Sequence, residues 1–298
     1  MALGNPVFAN DKNFGKQPPQ FPGAAPQGYP QGYPGAPTQG YAQQGYAPTG
    51  YAPGQQPLSP EQLQQMYNQP PASNAQMGRM TVDDVIVKTI GTLLVVLVGA
   101  GLGWVFPVLA LPGAIIGLVL GLVNSFKREP SKVLILTYAL FEGMFLGGIS
   151  GILENLYSGI VVQAVLGTLI VFALTLVLYK SGKFRATPKM TKFFMIALGG
   201  YAIFSLVNFG LMMFNVTNQP WGLRSVEVFG IPLGVIIGIL AIGLAAFSLM
   251  LDFTSIEQGV KNGLPAKYSW SAAFGLTVTL VWLYVEILRV LAILRGND

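Results

Sequence analysis

The chain has 298 residues, of which 52% are hydrophobic and only 10% are charged, and its mean hydropathy is +0.54. Soluble domains carry roughly 25% charged residues, so this composition excludes an ordinary soluble globular protein and indicates several membrane spans. The formal net charge is +5, and the chain contains neither cysteine nor histidine. This excludes disulfides, thiol or histidine catalysis and cysteine or histidine metal sites, so any proton chemistry must use carboxylates, lysine or tyrosine.

Residues 1–78 differ in composition from the rest of the chain. They hold 14 of the 21 prolines, only four charged residues and five Gly-Tyr pairs. No window repeats apolar residues at helix or strand spacing, so we expect a disordered cytoplasmic tail that cannot bury enough apolar surface to fold. Such a low-complexity segment is either solvated and without a partner, or self-associating or bound to a membrane protein partner. Nothing near Met1 has the pattern of a cleavable signal peptide.

Residues 79–298 are predicted to form a membrane domain in the lipid bilayer. Six apolar stretches have 20 to 23 residues, which is enough to cross a hydrocarbon core of ~30 Å. The second stretch has only 16 residues and contains Pro112, which predicts a short, broken or strongly tilted helix joined to the first by a tight hairpin. Backbone groups in lipid need internal partners, so all seven are predicted as helices. The stretches are Val85–Phe106, Val108–Val123, Val133–Leu153, Ile160–Tyr179, Phe193–Phe214, Ile231–Leu251 and Ala272–Leu294.

Basic residues are unevenly shared between the two sides of these spans. Twelve lie before or at the start of the first span or near the even-numbered connections, whereas the first and third connections carry none and the fifth carries only Arg224. The positive-inside rule therefore predicts a cytoplasmic N-terminus and, after seven spans, an external C-terminus, in what we expect to be a bacterial plasma membrane. A re-entrant last segment would instead return the C-terminus to the cytoplasm. The twelve residues are Arg79, Lys88, Lys127, Arg128, Lys132, Lys180, Lys183, Arg185, Lys189, Lys192, Lys261 and Lys267.

Glycines recur at a spacing of four within several spans. Small faces let helix backbones approach closely in lipid, so this pattern predicts a closely packed bundle, with a gating hinge as the alternative. The glycines are Gly99 and Gly103, Gly117 and Gly121, Gly143, Gly147 and Gly151, and Gly234 and Gly238.

Two carboxylates fall inside predicted spans, where each costs at least ~2.5 kcal/mol and so suggests a function. Glu286 lies in the last span, with Arg289 three residues later on the same helix face. Glu286 is either an ion pair with Arg289 or an ion or proton ligand. Glu142, near the middle of the third span, is either a protonated structural acid or part of a polar path. Arg289 is interpreted as the partner of Glu286, of Glu142 or of both.

Other polar residues lie near span ends or inside the fifth span. Asp252 is placed at the cytoplasmic end of the sixth span, where a solvated acid is common. Glu154 and Glu257 are also expected to be hydrated at helix ends. Asn208, midway along the fifth span, is interpreted as a hydrogen-bonding residue between helices.

Two runs near the end of the membrane domain have a distinctive pattern. The sixth span exits through Leu-Asp-Phe-Thr-Ser-Ile-Glu-Gln-Gly at 251–259, and the last span contains Trp-Leu-Tyr-Val-Glu-Ile-Leu at 282–288. These runs resemble the Asp-Thr-Gln-like exit from the sixth helix and the Leu-Tyr-Leu-Asp-like run in the seventh helix of the Bax inhibitor-1/YccA family. The resemblance covers about residues 79–295, together with the span count and the basic connections, and leaves the tail unexplained.

The resemblance implies a fold of six helices around a central seventh. It also implies one of the family's activities, which are pH-sensitive calcium leak, suppression of cell death in eukaryotes, and restraint of a membrane-bound AAA protease in bacteria. The acidic pair of the leak would correspond to Asp252 and Glu286, as calcium ligands and pH sensors, and the basic cluster that pairs with the first acid to Lys127 and Arg128. Here the second acid is Glu, and its separation of 34 residues from Asp252 is longer than the family's usual spacing.

The sequence thus predicts an all-α polytopic membrane protein with seven transmembrane helices, the last one central, behind a disordered tail. The expected activity is a passive, pH-modulated cation leak, because two adjacent carboxylates share a proton for which calcium competes. The alternative is a non-transporting membrane regulator that binds a membrane-bound protease or cell-envelope machinery. A secondary transporter also stays open. We expect no enzyme activity, no nucleic-acid partner and no cofactor other than transported or bound Ca²⁺.

Overall fold

The computed structural model describes residues 77–182, 187–217 and 219–296, together with Gln64. Seven helices in these ranges are long and apolar enough to cross a membrane, which confirms the predicted fold class. They are α1 (Val82–Val105), α2 (Ala110–Phe126), α3 (Lys132–Leu156), α4 (Ile160–Lys180), α5 (Pro188–Met213), α6 (Leu233–Lys261) and α7 (Ser269–Arg295). The predicted disordered tail, residues 1–78, lies almost wholly outside the described residues and stays a prediction.

The first two helices form the predicted tight hairpin. A short 3₁₀ helix, Pro107–Leu109, directly joins α1 to α2. Pro112 lies in the first turn of α2, where a missing backbone N–H breaks no helical hydrogen bond, so the helix is short but unbroken. Thr81 caps the other end of the hairpin, because its hydroxyl accepts a hydrogen bond from the Asp84 N–H at 3.1 Å.

Glycines bring α1 and α3 into backbone contact. A Cβ built on Gly99 or Gly143 would collide with the backbone of the facing helix, and a Cβ on Gly147 would collide with the Ala100 backbone. The predicted packing role of the glycine spacing is therefore confirmed for this pair of helices.

The last helix is the centre of the bundle. It is buried along most of its length and packs against α1, α3, α4 and α6. By contrast, α5 is peripheral, since only Thr191, Phe194 and Asn208 are fully buried along it. A helix with so few buried side chains depends on specific contacts for its position.

Contacts between connections define the two ends of the bundle. The segment before α1 pairs with the α6–α7 connection, where the Met80 N–H donates to the Leu264 carbonyl at 2.6 Å. Lys267 of that connection pairs with Glu129 of the α2–α3 connection at 2.9 Å. At the opposite end, Arg295 donates to the Ser158 carbonyl in the α3–α4 connection. The last helix thus runs from one end to the other instead of re-entering. Which end faces the cytoplasm stays a prediction.

Candidate functional site

Glu286 lies at the centre of a buried charge cluster. Its side chain is only 1% exposed. Its Oε1 accepts hydrogen bonds from the Arg289 guanidinium, one helical turn away, and from the Tyr201 hydroxyl of α5. The predicted pairing of Glu286 with Arg289 is confirmed, and Tyr201 was not anticipated.

Arg224 is the second residue that sequence reasoning missed. It was counted as a loop charge, but it lies in a short 3₁₀ helix, Gly222–Ser225, and its side chain is only 4% exposed. Its Nη2 donates to the Tyr201 hydroxyl at 3.2 Å and to the Ser205 hydroxyl at 3.1 Å. Its Nη1 lies 3.7 Å from Glu286 Oε2, and neither of these two atoms has a hydrogen-bond partner. The available signal was that Arg224 is the only basic residue in the odd-numbered connections.

Asn208 holds the connection that carries Arg224. Its Oδ1 accepts from the Leu223 N–H at 2.7 Å, and its Nδ2 donates to the Trp221 carbonyl at 3.3 Å. Gly222 has a φ of +61°, and a Cβ there would collide with Asn208 Oδ1. The interpretation of Asn208 as a bond between helices is therefore corrected, because it fixes the α5–α6 connection against α5.

The charge cluster borders a cavity of about 520 Å³ between α3, α5, α7 and the α5–α6 connection. Glu142 lies on its α3 wall, so the structure brings the two predicted intramembrane glutamates into one cavity. Among the described residues, no hydrogen bond or ion pair reaches the Glu142 carboxyl, which lies against the backbone of Gly117 in α2. The lining residues are Tyr138, Glu142, Phe145, Tyr201, Ser205, Asn208, Phe209, Met212, Trp221, Arg224, Val278, Val281, Trp282, Val285, Glu286 and Arg289.

Asp252 occupies a different position from the predicted one. The sixth helix continues nine residues beyond it to Lys261, and Asp252 is completely buried. It is therefore not a solvated helix-end acid. The Thr279 hydroxyl of α7 donates to Asp252 Oδ2 at 2.8 Å.

The two acids of the predicted pair therefore lie at different levels along α7: Asp252 contacts it at Thr279, and Glu286 belongs to it. Thr279 precedes Glu286 by seven residues, which corresponds to a rise of about 10.5 Å along the helix. Asp252 is bonded to a hydroxyl, and Glu286 lies between arginines. Shared protonation of the two carboxylates, and their role as calcium ligands, stay predictions that these partners do not favour. No group of three or more acidic residues able to hold a metal ion occurs within the described ranges.

The predicted basic partners of Asp252 lie in the α2–α3 connection. Lys127 and Arg128 are exposed there, whereas Asp252 is completely buried, and their pairing with it stays a prediction. The neighbouring Glu129 is also exposed. A hydrogen bond and the charge of Lys267, together with the charge of Lys127, lower the pKa of Glu129 below its ordinary value.

The other predicted helix-end acids both have partners. The Glu154 carboxylate accepts hydrogen bonds from the N–H groups of Gly159 and Val161, so it caps the start of α4. Glu257 contacts Tyr179 of α4 and Lys261 of its own helix. Both acids are structural, although Glu257 is partly hydrated as expected.

Comparison with known proteins places this architecture in a family. A family model described as "Bax inhibitor 1 like" matches residues 5–296, nearly the whole chain. The match begins within the N-terminal segment, and so extends beyond the region of residues 79–295 that carries the sequence resemblance. No curated protein matches the chain significantly.

Proposed function

The chain belongs to the Bax inhibitor 1 like family, and from that premise we propose that it forms a pH-modulated passive leak for cations, with calcium as the first candidate. In this proposal the protein is not an enzyme. It lies in a bacterial plasma membrane, with the N-terminus in the cytoplasm and the C-terminus outside.

The observation that carries the proposal is the cavity beside the central helix, whose largely apolar wall also contains Glu142 and the charge cluster around Glu286. Its α7 wall extends from Val278 to Arg289, which corresponds to about 16.5 Å of helix at 1.5 Å per residue. Val278 is adjacent in sequence to Thr279, the partner of Asp252. The cavity thus ends close to the level of the second buried acid, Asp252.

The described conformation corresponds to a closed state in this proposal. Asp252 is fully buried and bonded to Thr279, and the guanidiniums of Arg224 and Arg289 oppose the entry of a cation into the cavity. Deprotonation of Asp252 would favour its exposure to water, because a charged carboxylate is costly in a low-dielectric interior. That movement would extend the cavity past Thr279, so flux is expected to rise with pH.

The acids are given different roles by their contacts. Asp252 is the pH-sensing group, and Glu142, which makes no hydrogen bond or ion pair among the described residues, is the carboxyl available to a passing cation. Glu286 balances the arginines and is an anchor for the closed state. The sequence prediction differs, because it paired Asp252 with Glu286 as one acidic site.

The proposal is tested by calcium entry into liposomes that contain the purified full chain. Flux should rise with increasing pH in the unaltered protein. Asp252→Asn should remove the pH dependence, and Glu142→Gln should lower the rate at every pH. The matched control is Glu227→Gln, which changes an exposed acid in the α5–α6 connection and should leave the flux unchanged. Glu286→Gln removes an anchor of the closed state and should therefore weaken the pH dependence, but it also leaves two arginines with no balancing carboxylate, so its folding must be checked first.

The second candidate is a non-transporting regulator of a membrane-bound protease or of cell-envelope machinery, bound through the N-terminal tail. It rests on the composition of residues 1–76, which lie, except for Gln64, outside the described residues. Deletion of that segment separates the two functions. A leak through the bundle should survive the deletion, whereas a tail-mediated interaction should be lost.

A further inference from the structure

A short β-hairpin ends the α5–α6 connection. Its strands, β1 (Glu227–Val228) and β2 (Ile231–Pro232), are antiparallel. The hairpin is closed at its base, because the Leu233 N–H at the start of α6 donates to the Val226 carbonyl at 2.7 Å. Arg224 lies in the 3₁₀ helix directly before this base, so the hairpin and the charge cluster are parts of one connection.

The turn of this hairpin carries an aromatic residue where a small polar one is usual. Phe229 and Gly230 form a two-residue turn, with φ values of +55° and +77°. Turns with positive φ at both positions favour Asn or Asp before Gly, because a bulky side chain is strained in the left-handed region. The Phe229 side chain is nevertheless fully exposed at the tip. Within the described residues, the ring thus packs against nothing that would offset this strain.

One face of the hairpin continues the apolar tip. Side chains alternate between the two faces along a strand, and residues that pair across strands share a face. Val228 pairs with Ile231, so these two and Val226 lie on one face, which we call the apolar face, and Glu227 lies on the other. Val226 and Ile231 are exposed. Glu227 is the only charged residue of the hairpin, so the element is apolar on one side and polar on the other.

The hairpin lies at the level where α6 enters the membrane. Between Leu233 and Leu251, Ser248 is the only residue of α6 with a polar side chain. This stretch is about 28 Å long at 1.5 Å per residue, close to the ~30 Å of a hydrocarbon core, so the core extends to the first turn of the helix. The hairpin ends one residue before that turn. It therefore lies at the boundary between hydrocarbon and headgroups, where aromatic and apolar side chains of amphipathic elements collect.

We propose that this hairpin is a membrane-interface anchor. The Phe229 ring and the apolar face contact lipid at the end of the bundle where α5 meets α6, and Glu227 faces water. Lipid contact gives the exposed ring the partner that the bundle does not supply, and it anchors the connection that carries Arg224. The inference concerns lipid contact and does not depend on the flux proposed above.

The depth of the tip is measured with single cysteines, since the chain has none of its own. Phe229→Cys, its neighbour Glu227→Cys on the polar face, and the lipid reference Leu169→Cys, exposed in the middle of α4, each receive a nitroxide label. The full chain is placed in phosphatidylcholine nanodiscs, which leave both membrane faces open to solution. Collisions with oxygen, which concentrates in lipid, and with a nickel chelate, which stays in water, are recorded by electron paramagnetic resonance.

The label at position 229 should lose most of the chelate collisions seen at position 227 and should collide with oxygen nearly as often as the Leu169 label. Chelate collisions as frequent as at position 227 would overturn the proposal. Protection from both reagents would overturn it as well, because it would show that another protein molecule covers the tip. Folding is not at risk, since the Phe229 side chain is fully exposed.

A second measurement removes the ring and keeps the turn. Phe229→Asn introduces a residue that this turn favours, so the hairpin itself should not be weakened. A nitroxide on Ile231→Cys, on the apolar face, then reports the depth of the hairpin in both backgrounds. Phe229→Asn should raise its collisions with the chelate, because the anchoring ring is gone. Equal collision rates with and without the ring would contradict the anchoring role.

Discussion

Replacing Tyr201 with phenylalanine removes the hydroxyl that joins α5 to the rest of the charge cluster. That hydroxyl donates to Glu286 and accepts from Arg224 at 3.2 Å and from Arg289 at 3.4 Å. The ring contact with Trp282, whose centroid lies 5.7 Å away, is kept by phenylalanine. The substitution therefore isolates the hydrogen bonds from the packing.

The expected cost follows from the number and quality of these bonds. A hydrogen bond to a charged group contributes about 1.5–3 kcal/mol, and the two longer bonds contribute less than the bond to Glu286. We expect Tyr201→Phe to lower the free energy that holds α5 against the bundle by about 2–4 kcal/mol. This corresponds to roughly 30- to 700-fold more of the open form, in which α5 has separated from the bundle. The effect should concentrate on α5, because that helix has few other fully buried side chains.

The absence of native cysteines allows a clean assay. Ala197, one turn before Tyr201 and packed beside the buried Phe194, is changed to cysteine, and its rate of maleimide labelling reports the opening of α5. Tyr201→Phe should raise that rate, whereas Tyr157→Phe, whose hydroxyl makes no hydrogen bond within the described ranges, should not. If the Tyr201→Phe variant is labelled no faster than the protein that carries only Ala197→Cys, the role of the cluster in holding α5 is refuted.

Two further predictions concern the bundle and its basic end. Gly147→Ala should destabilise the chain by about 1–3 kcal/mol in detergent unfolding, because its Cβ collides with the Ala100 backbone. The control Gly101→Ala should be tolerated, because no atom outside its own helix backbone lies within 4 Å of the added Cβ. Lys267→Gln should raise the pKa of Glu129 toward its ordinary value, measured by carboxyl ¹³C NMR. The small stabilisation from a lowered pKa exists above the ordinary glutamate value and is lost as the pH falls through the folded value, so Lys267→Gln should reduce stability at neutral pH and have no effect at strongly acidic pH.

The spans were predictable because membrane insertion depends on a property that sequence shows directly. A run of some twenty apolar residues must be helical in lipid, and this identified all seven helices. The glycine spacing likewise predicted close packing, since only glycine allows the backbone contact between Gly143 and the facing helix. Helix ends were less accurate, because polar residues such as Asp252 and Lys261 continue α6 after its apolar run has ended.

The site was only partly predictable. Glu286 and Arg289 were found together because they share one helix face, and spacing along one helix is readable from sequence. Arg224 and Tyr201 reach the same carboxylate from other elements, and no local pattern reports such a contact. Asp252 was assigned to a hydrated end because hydropathy falls there, but its burial depends on packing against Thr279 of α7.

Calcium entry into liposomes that contain the full chain, compared with protein-free liposomes over a range of pH, tests the proposed function most directly. The account predicts entry only with the protein present, increasing as the pH rises, and loss of that pH dependence in Asp252→Asn. Entry no faster than in protein-free liposomes at every pH, or an unchanged pH response in Asp252→Asn, would contradict it.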